Sequence, residues 1–202
     1  MHATTSKLTW ARACQAVLVL AVTVVLAACA SSSASSGAPA SGAVDVPATV
    51  PAPAAKAECT DASNDAKSGD ITQVELQRDG EQLSATFHLR RALPGAGTAS
   101  TVVTVSNAAG DKIRLLGVQW LEGQLIGHFV FDFQGAMQTN LEDQPTVDGK
   151  TISARYPWSA VADLGDSWKW QAVTTLNGND VDSCPNIGRD SMNPKKARFP
   201  SS

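Results

Sequence analysis

Short runs in which apolar and polar side chains alternate dominate the central part of the chain. The clearest run covers residues 83–90, where every second side chain is apolar. A period of two residues predicts a strand with one buried face and one face toward solvent. The Asp79-Gly80 dipeptide just before this run is a preferred two-residue turn of β-hairpins. The pattern therefore predicts an antiparallel hairpin at this point.

Several other segments follow the same pattern and are separated by turn-forming residues. A short helical turn is predicted over residues 158–164, which begin after Pro157 and end at Gly165. No segment keeps a period of 3.6 residues for longer. Strands spaced near ten residues apart predict an all-β fold, an antiparallel β-sandwich of about seven to nine strands with one short helix. A closed β-barrel is the alternative, because both architectures protect sheet edges. The further predicted strands are residues 71–77, 100–106, 112–120, 125–133, 151–156 and 167–176.

The N-terminal residues carry a different pattern. Basic residues precede an apolar run over residues 16–28, which is typical of a secretion signal and shorter than the roughly 20 residues of a membrane span. The run ends at Leu26-Ala27-Ala28-Cys29, which resembles the lipobox of bacterial lipoproteins. The resemblance implies cleavage before Cys29 and attachment of diacylglycerol to its thiol. An uncleaved membrane anchor is the alternative.

These patterns divide the chain into four parts. Residues 1–28 are predicted to be a lipoprotein signal peptide, and residues 29–57, rich in Ser, Ala and Pro, a disordered tether. Residues 58–188 hold nine of the eleven Trp, Tyr and Phe side chains and are predicted to form the β-sandwich domain. Residues 189–202 are predicted to be a disordered basic tail. The protein is therefore expected outside the cytoplasm, anchored by lipid to the plasma membrane or the outer membrane of a bacterium.

Charge and cysteine content narrow the partners and the compartment. Residues 29–202 carry 14 basic and 19 acidic side chains, so the net charge of −5 argues against nucleic acid as a partner. Cys59 and Cys184 are the cysteines that remain after lipidation of Cys29. In an exported protein two such thiols are expected to pair as a disulfide that brackets the domain.

That disulfide would bring two segments rich in Asp and Asn close to each other. Asp61 and Asp65 follow the first cysteine, and Asp182 precedes the second. Clustered oxygen ligands are what Ca²⁺ requires, so these three carboxylates are a candidate calcium site. Solvated turns are the alternative, because Asp and Asn are common in turns and the spacing is not that of an EF-hand. No other cofactor is predicted.

Three further side chains are candidates for ligand binding. His88 and His128 fall on the more polar side of their predicted strands, and they would form a binding patch or a pair of haem ligands if they met across a sheet face; ordinary surface positions are the alternative. Trp120 lies at the end of a strand beside a turn and is expected to be exposed, as a platform for a sugar ring. Trp158 and Trp168 are expected to lie in the core.

The folded part is similar to the secreted DOMON-like β-sandwich domains. The resemblance implies a module that binds a ligand such as a carbohydrate or haem, and it transfers no ligand residue to this chain. It covers most of residues 59–185. The motifs that carry it are Gly69-Asp70-Ile71, Tyr156-Pro157-Trp158-Ser159-Ala160-Val161, Trp168-Lys169-Trp170 and Asp182-Ser183-Cys184-Pro185.

These observations predict a membrane-anchored envelope lipoprotein whose sandwich binds a carbohydrate or another envelope component and catalyses no reaction. One alternative is a structural or assembly lipoprotein that docks on an envelope protein. A second alternative is a hydrolase, although the chain contains no Gly-x-Ser-x-Gly motif.

Overall fold

The chain folds almost entirely as strands where its structure is described. A computed structural model describes residues 54–61, 66–186 and 196–200, so Cys29, the signal peptide and most of the tether lie outside the described residues. In chain order the strands are β1 (Ala55–Thr60), β2 (Ile71–Asp79), β3 (Gln82–Leu89), β4 (Thr98–Ser106), β5 (Ile113–Leu121), β6 (Gln124–Asp132), β7 (Met137–Asn140), β8 (Thr146–Asp148), β9 (Thr151–Pro157), β10 (Trp168–Leu176), β11 (Asn179–Cys184) and β12 (Ala197–Phe199).

The strands form two antiparallel sheets that share one apolar core. The first sheet has the order β1-β2-β3-β9-β8, and the second has the order β11-β10-β4-β5-β6-β7, with β12 paired to β10. Neither sheet closes on itself within the described residues, so the β-sandwich is confirmed and the barrel alternative is not formed. The described residues form twelve strands against the predicted seven to nine, because five strands, β1, β7, β8, β11 and β12, lie outside the seven predicted ranges.

The hairpin predicted from the clearest alternation is present in the first sheet. Asp79 pairs with Gln82 across the turn, and Gly80 supplies the positive φ of 57° that this turn requires. The four apolar side chains of β3 are each at most 3 % exposed and face the second sheet. The alternation of apolar and polar residues therefore predicts correctly which side chains of β3 are buried.

The second sheet contains a β-bulge that changes which side chains of β6 face inward. Trp120 pairs with Leu125 and Gln119 with Gly127, so Ile126 is an extra residue and is 54 % exposed. A bulge reverses the alternation of the residues that follow it. His128 therefore enters the core, whereas the phenylalanines of β6 occupy the outer face.

The predicted short helix takes a tighter form. Two 3₁₀ turns, Trp158–Ala160 and Ala162–Leu164, occupy the segment, and the amide of Gly165 donates to Ala162 at its end. Trp158 is half-buried under the guanidinium of Arg78, 4.0 Å from the ring centroid, whereas Trp168 lies in the core as expected.

Both predicted boundaries of the folded domain require correction. The tether was expected to extend to residue 57, but β1 begins at Ala55 and Ala57 is 1 % exposed. The basic tail was expected to be disordered, but β12 lies within it. Phe199 is 1 % exposed and stacks on Trp168 with ring centroids 4.5 Å apart. Pairing with β10 and this aromatic stack therefore hold the segment in the fold.

Several links join the two sheets at their β1–β11 side. The predicted disulfide between Cys59 and Cys184 connects these two edge strands, with Cα atoms 5.9 Å apart. Beside it, one carboxylate oxygen of Asp182 accepts a hydrogen bond from the amide of Ile71 at 2.6 Å. The hydroxyl of Thr174 donates to the carbonyl of Gly69 at 2.5 Å.

None of the helical segments in the described part of the chain has the length and apolar character needed to cross a bilayer.

Candidate functional site

An apolar cavity of about 200 Å³ lies at one end of the sandwich and contains Trp120. Its floor is formed by buried side chains from both sheets, Trp120 and Ala99 from the second and Ile152 from the first. Its rim is the loop of residues 92–95 together with Val147 of the edge strand β8, which is 53 % exposed. We refer to this space as the Trp120 cavity. A concave, mostly apolar cleft that opens to solvent is the usual form of a small-molecule site.

The position of Trp120 differs from the expectation that it is exposed. It shares the inward alternation of Leu116 and Val118, and it is 9 % exposed. The strand continues for one more residue, Leu121, which is 44 % exposed instead. Proximity to a turn was therefore the wrong criterion, since the alternation of the strand decides the direction of the side chain.

Small residues keep the mouth of the cavity open and close the backbone around it. Gly123 of the β5–β6 turn has a φ of 74°, and a Cβ atom there would lie 3.3 Å from the carbonyl oxygen of Gly95. The amide of Glu122 donates to the carbonyl of Gly97 at 2.8 Å. The hairpin and the rim loop are therefore fixed against each other by backbone contacts.

His88 lies on the solvent-facing side of the first sheet. Its Nε2 atom is 3.7 Å from a carboxylate oxygen of Glu75, and its Nδ1 atom is 3.5 Å from the hydroxyl of Thr151. Both distances exceed the roughly 2.6–3.2 Å of a nucleophile hydrogen-bonded to its base. The imidazole is one-third exposed and belongs to a polar surface that includes Lys56.

His128 lies in the interior, so the two histidines do not meet as expected. Its Nδ1 atom is 2.6 Å from the backbone oxygen of Asp143, and its Nε2 atom is buried without a hydrogen-bond partner. The ring packs edge-on against Tyr156 of the first sheet at a centroid distance of 5.0 Å. Burial raises the pKa of Tyr156. This contact is part of the core rather than of an open site.

The candidate calcium ligands are only partly described. Both carboxylate oxygens of Asp182 accept backbone amides, from Ile71 and from Ser183 at 2.8 Å. Asp61 accepts a hydrogen bond from the side-chain amide of Asn186. Asp65 lies outside the described residues. Within residues 54–61, 66–186 and 196–200, no three metal-ligating side chains form a group that fits an ion, and the calcium site stays a prediction.

A second cavity, of about 350 Å³, is lined by cations that sequence reasoning did not single out. Lys67, Arg90 and Arg91 surround it together with the buried Asp70. The Arg90 guanidinium is 3.9 Å from the Asp70 carboxylate, whereas Lys67 and Arg91 form no ion pair with any described residue. Two adjacent arginines in a mildly acidic chain were the signal that was available in the sequence. We refer to this space as the cationic cavity.

A third cavity, of about 320 Å³, lies at the opposite end of β6. Its charged wall is Arg114, whose guanidinium is 3.0 Å from Asp132 and 3.3 Å from Asp163. Since two carboxylates and the side chain of Gln134 already occupy this arginine, its charge is matched within the fold.

The outer surface of the second sheet is apolar across neighbouring strands. Register places Phe129 beside Gly117, Gly117 beside Val102, and Val102 beside Val173. Phe131 and Leu115 form the adjacent pair. A Cβ atom at Gly117 would lie 2.5–2.9 Å from three ring atoms of Phe129, so that ring lies across the strand. We refer to this surface as the phenylalanine face.

Comparison with known proteins finds no match for this chain. No protein-family model, no curated protein and no solved structure matches the chain. The candidate sites therefore stand on their own geometry.

Proposed function

We propose that this chain is an extracytoplasmic bacterial lipoprotein whose β-sandwich binds a small ligand and catalyses no reaction. The observation that carries the proposal is the Trp120 cavity, an apolar space with an indole at its floor and a rim formed by residues 92–95 and Val147. Because Trp120 is 9 % exposed, an apolar group that enters the cavity is a better fit than a sugar stacked on an open ring. The ligand is therefore an envelope component with a small apolar ring or chain.

The size of the cavity sets the size of the group that it accepts. About 200 Å³ is below the roughly 300–1,000 Å³ typical of sites that enclose a whole drug-sized ligand. The cavity therefore takes one end of a larger molecule. The remainder of that molecule extends over the rim loop of residues 92–95.

The experiment uses 3-phenylpropanol as an apolar probe and N-acetylglucosamine as a sugar probe, titrated calorimetrically into the chain carrying Cys29→Ser. Binding of the phenyl probe is expected, and it should be lost in Ala92→Phe, which places a ring at the mouth. Ala96→Phe is the matched control, because Ala96 is an exposed residue of the same loop that does not line the cavity. Absence of binding, or equal binding by both variants, would contradict the proposal.

The anchor is a separate part of the proposal and rests on the motif that ends at Cys29. Two acyl chains on this residue would give durable membrane attachment. Intact-mass measurement of membrane-extracted protein is expected to show a lipid-modified Cys29 at the N-terminus. An unmodified thiol in that material would refute the anchor and leave the cavity unaffected.

The phenylalanine face supports a second candidate function, that of a structural lipoprotein that docks on an envelope protein. The face extends over β6, β5, β4 and β10, which at about 4.8 Å between neighbouring strands is a width of about 14 Å. Contiguous apolar surface of this kind is typical of protein-protein contacts.

A further inference from the structure

We infer that the ligand of the Trp120 cavity is an amphiphilic acid, whose carboxylate or phosphate group is held in the cationic cavity by Lys67, Arg90 and Arg91. The inference rests on the proposed function and adds the chemical class of the ligand. It follows from the charges of the second cavity, from its fixed frame and from its place beside the first.

The concentration of cations at this cavity is an exception in the domain. Residues 59–188 carry 9 basic and 16 acidic side chains, so their net charge is −7. Three of the nine basic residues nevertheless line one cavity, and two of them have no carboxylate partner among the described residues. Cations that converge on a concave surface attract an anion, and they lower the local cost of binding one in an otherwise repulsive field.

The backbone around the cationic cavity is held in place by the two sheets. The amide of Arg90 donates to the carbonyl of Asp70 at 2.8 Å, and the neighbouring Gly69 accepts the hydroxyl of Thr174 from the second sheet. The long contact between Arg90 and Asp70 orients the guanidinium and leaves most of its five N–H donors for another acceptor. Arginine presents these donors as a planar fork that matches a carboxylate or phosphate.

The two cavities are neighbours along one loop. Arg91 lines the cationic cavity, and Ala92, the next residue, lines the Trp120 cavity. Consecutive Cα atoms are about 3.8 Å apart, so the two cavities share one short segment of chain, and the length of a molecule that reaches both is what a series of acids of increasing length measures. Neither cavity alone would retain a ligand as well as this combination, because the apolar contact and the charge-assisted hydrogen bonds act on one molecule.

The experiment compares acids with their matched alcohols in the chain carrying Cys29→Ser. The acids are phenylacetate, 3-phenylpropionate, 4-phenylbutyrate and 5-phenylvalerate, which vary the distance between ring and carboxylate. At least one acid is expected to bind about tenfold more tightly than its alcohol, as one charge-assisted contact would give. Arg91→Gln should remove that advantage and leave the alcohol affinity unchanged. Arg155→Gln is the matched control, since it removes one exposed charge from the outer face of the first sheet.

Each outcome separates this inference from the proposed function. Equal binding of every acid and its alcohol would overturn the inference and leave the Trp120 cavity as a ligand site. Binding of neither would overturn both. An acid advantage that survives Arg91→Gln, or that added salt does not weaken, would also overturn the inference. If the advantage is present, phosphatidylglycerol vesicles that compete with the acid would identify a lipid as its source, and vesicles that do not compete would identify a soluble acid.

Discussion

The two sheets of this sandwich both have apolar inner faces, but the outer face of the first is polar and the outer face of the second is apolar. The outer face of the first sheet is polar along β1, β2, β3 and β9, and Lys56 and Glu75 form an ion pair of 2.9 Å on it. The hydrogen bond from Lys56 to Glu75 raises the pKa of Lys56. The outer face of the second sheet has Phe129, Phe131 and Leu115 at the corresponding positions. Water therefore solvates the outer face of the first sheet well and the outer face of the second sheet poorly.

The cause of this difference is a single extra residue. The bulge at Ile126 moves the phenylalanines of β6 to the outside and His128 to the inside. A fold that needed only a stable core would bury the larger apolar side chains. The sheet instead buries an imidazole with an unpartnered Nε2 atom and keeps aromatic rings at its surface. The polarity of the two outer faces therefore differs because one extra residue changes the register of β6.

The largest effect on stability is expected from removing the disulfide that joins the edge strands of the two sheets. The double variant Cys59→Ser/Cys184→Ser should lower the free energy of unfolding by about 2–5 kcal/mol, because the bond closes a loop with a sequence separation of 125 residues. Denaturant unfolding of the oxidised chain measures the difference. Reduced wild-type protein is the control and should match the double variant. An unchanged unfolding midpoint would show that the noncovalent links at Asp182 and Thr174 are sufficient.

An intermediate effect on the free energy of unfolding is expected from the ionisation of Tyr156, which is buried between the two sheets. Tyr156 is the single tyrosine of the chain, and burial raises its pKa above the ordinary value of 10.0. Above pH 10 the unfolded chain loses the phenolic proton while the folded chain keeps it. The free energy of unfolding should therefore be unaffected by this group below pH 10 and fall by about 1.4 kcal/mol per pH unit above it.

The phenolate absorbance of Tyr156 makes this prediction directly measurable. The absorbance should rise together with the loss of circular dichroism in an alkaline titration, because the folded ring does not ionise. Tyr156→Phe should unfold at higher pH than the wild type, and its remaining alkaline transition reports all other groups. Phenolate formation in the folded state would contradict the assigned burial.

The smallest effect on stability, and the one that tests the comparison most directly, is expected on the outer faces. Phe131→Gln should cost about 1 kcal/mol, since its ring is half-buried. It should also reduce binding of the apolar dye ANS to the folded chain in an Ala92→Phe background, which blocks the Trp120 cavity. Thr86→Gln on the first sheet is the matched control and should leave dye binding unchanged. Equal dye binding by both variants would mean that the phenylalanine face binds ANS no better than the polar outer face of the first sheet does.

The sequence by itself determined the fold class, the hairpin at Asp79-Gly80 and the pairing of Cys59 with Cys184. These features depend on local alternation, on turn chemistry, or on the number of cysteines left in an exported chain. Each can be recognised without knowledge of which strands are neighbours. Lipidation of Cys29 rests on the same kind of local pattern and stays a prediction.

Tertiary structure decided what the local pattern could not. His128 lies inside because the bulge at Ile126 depends on the pairing of β5 with β6. Phe199 joins the core because Trp168, 31 residues earlier, offers a ring to stack on. The Trp120 cavity and the cationic cavity exist because segments that are distant in the sequence converge around them. Pairing register and convergence depend on contacts between distant residues, which a periodicity of two along one strand does not record.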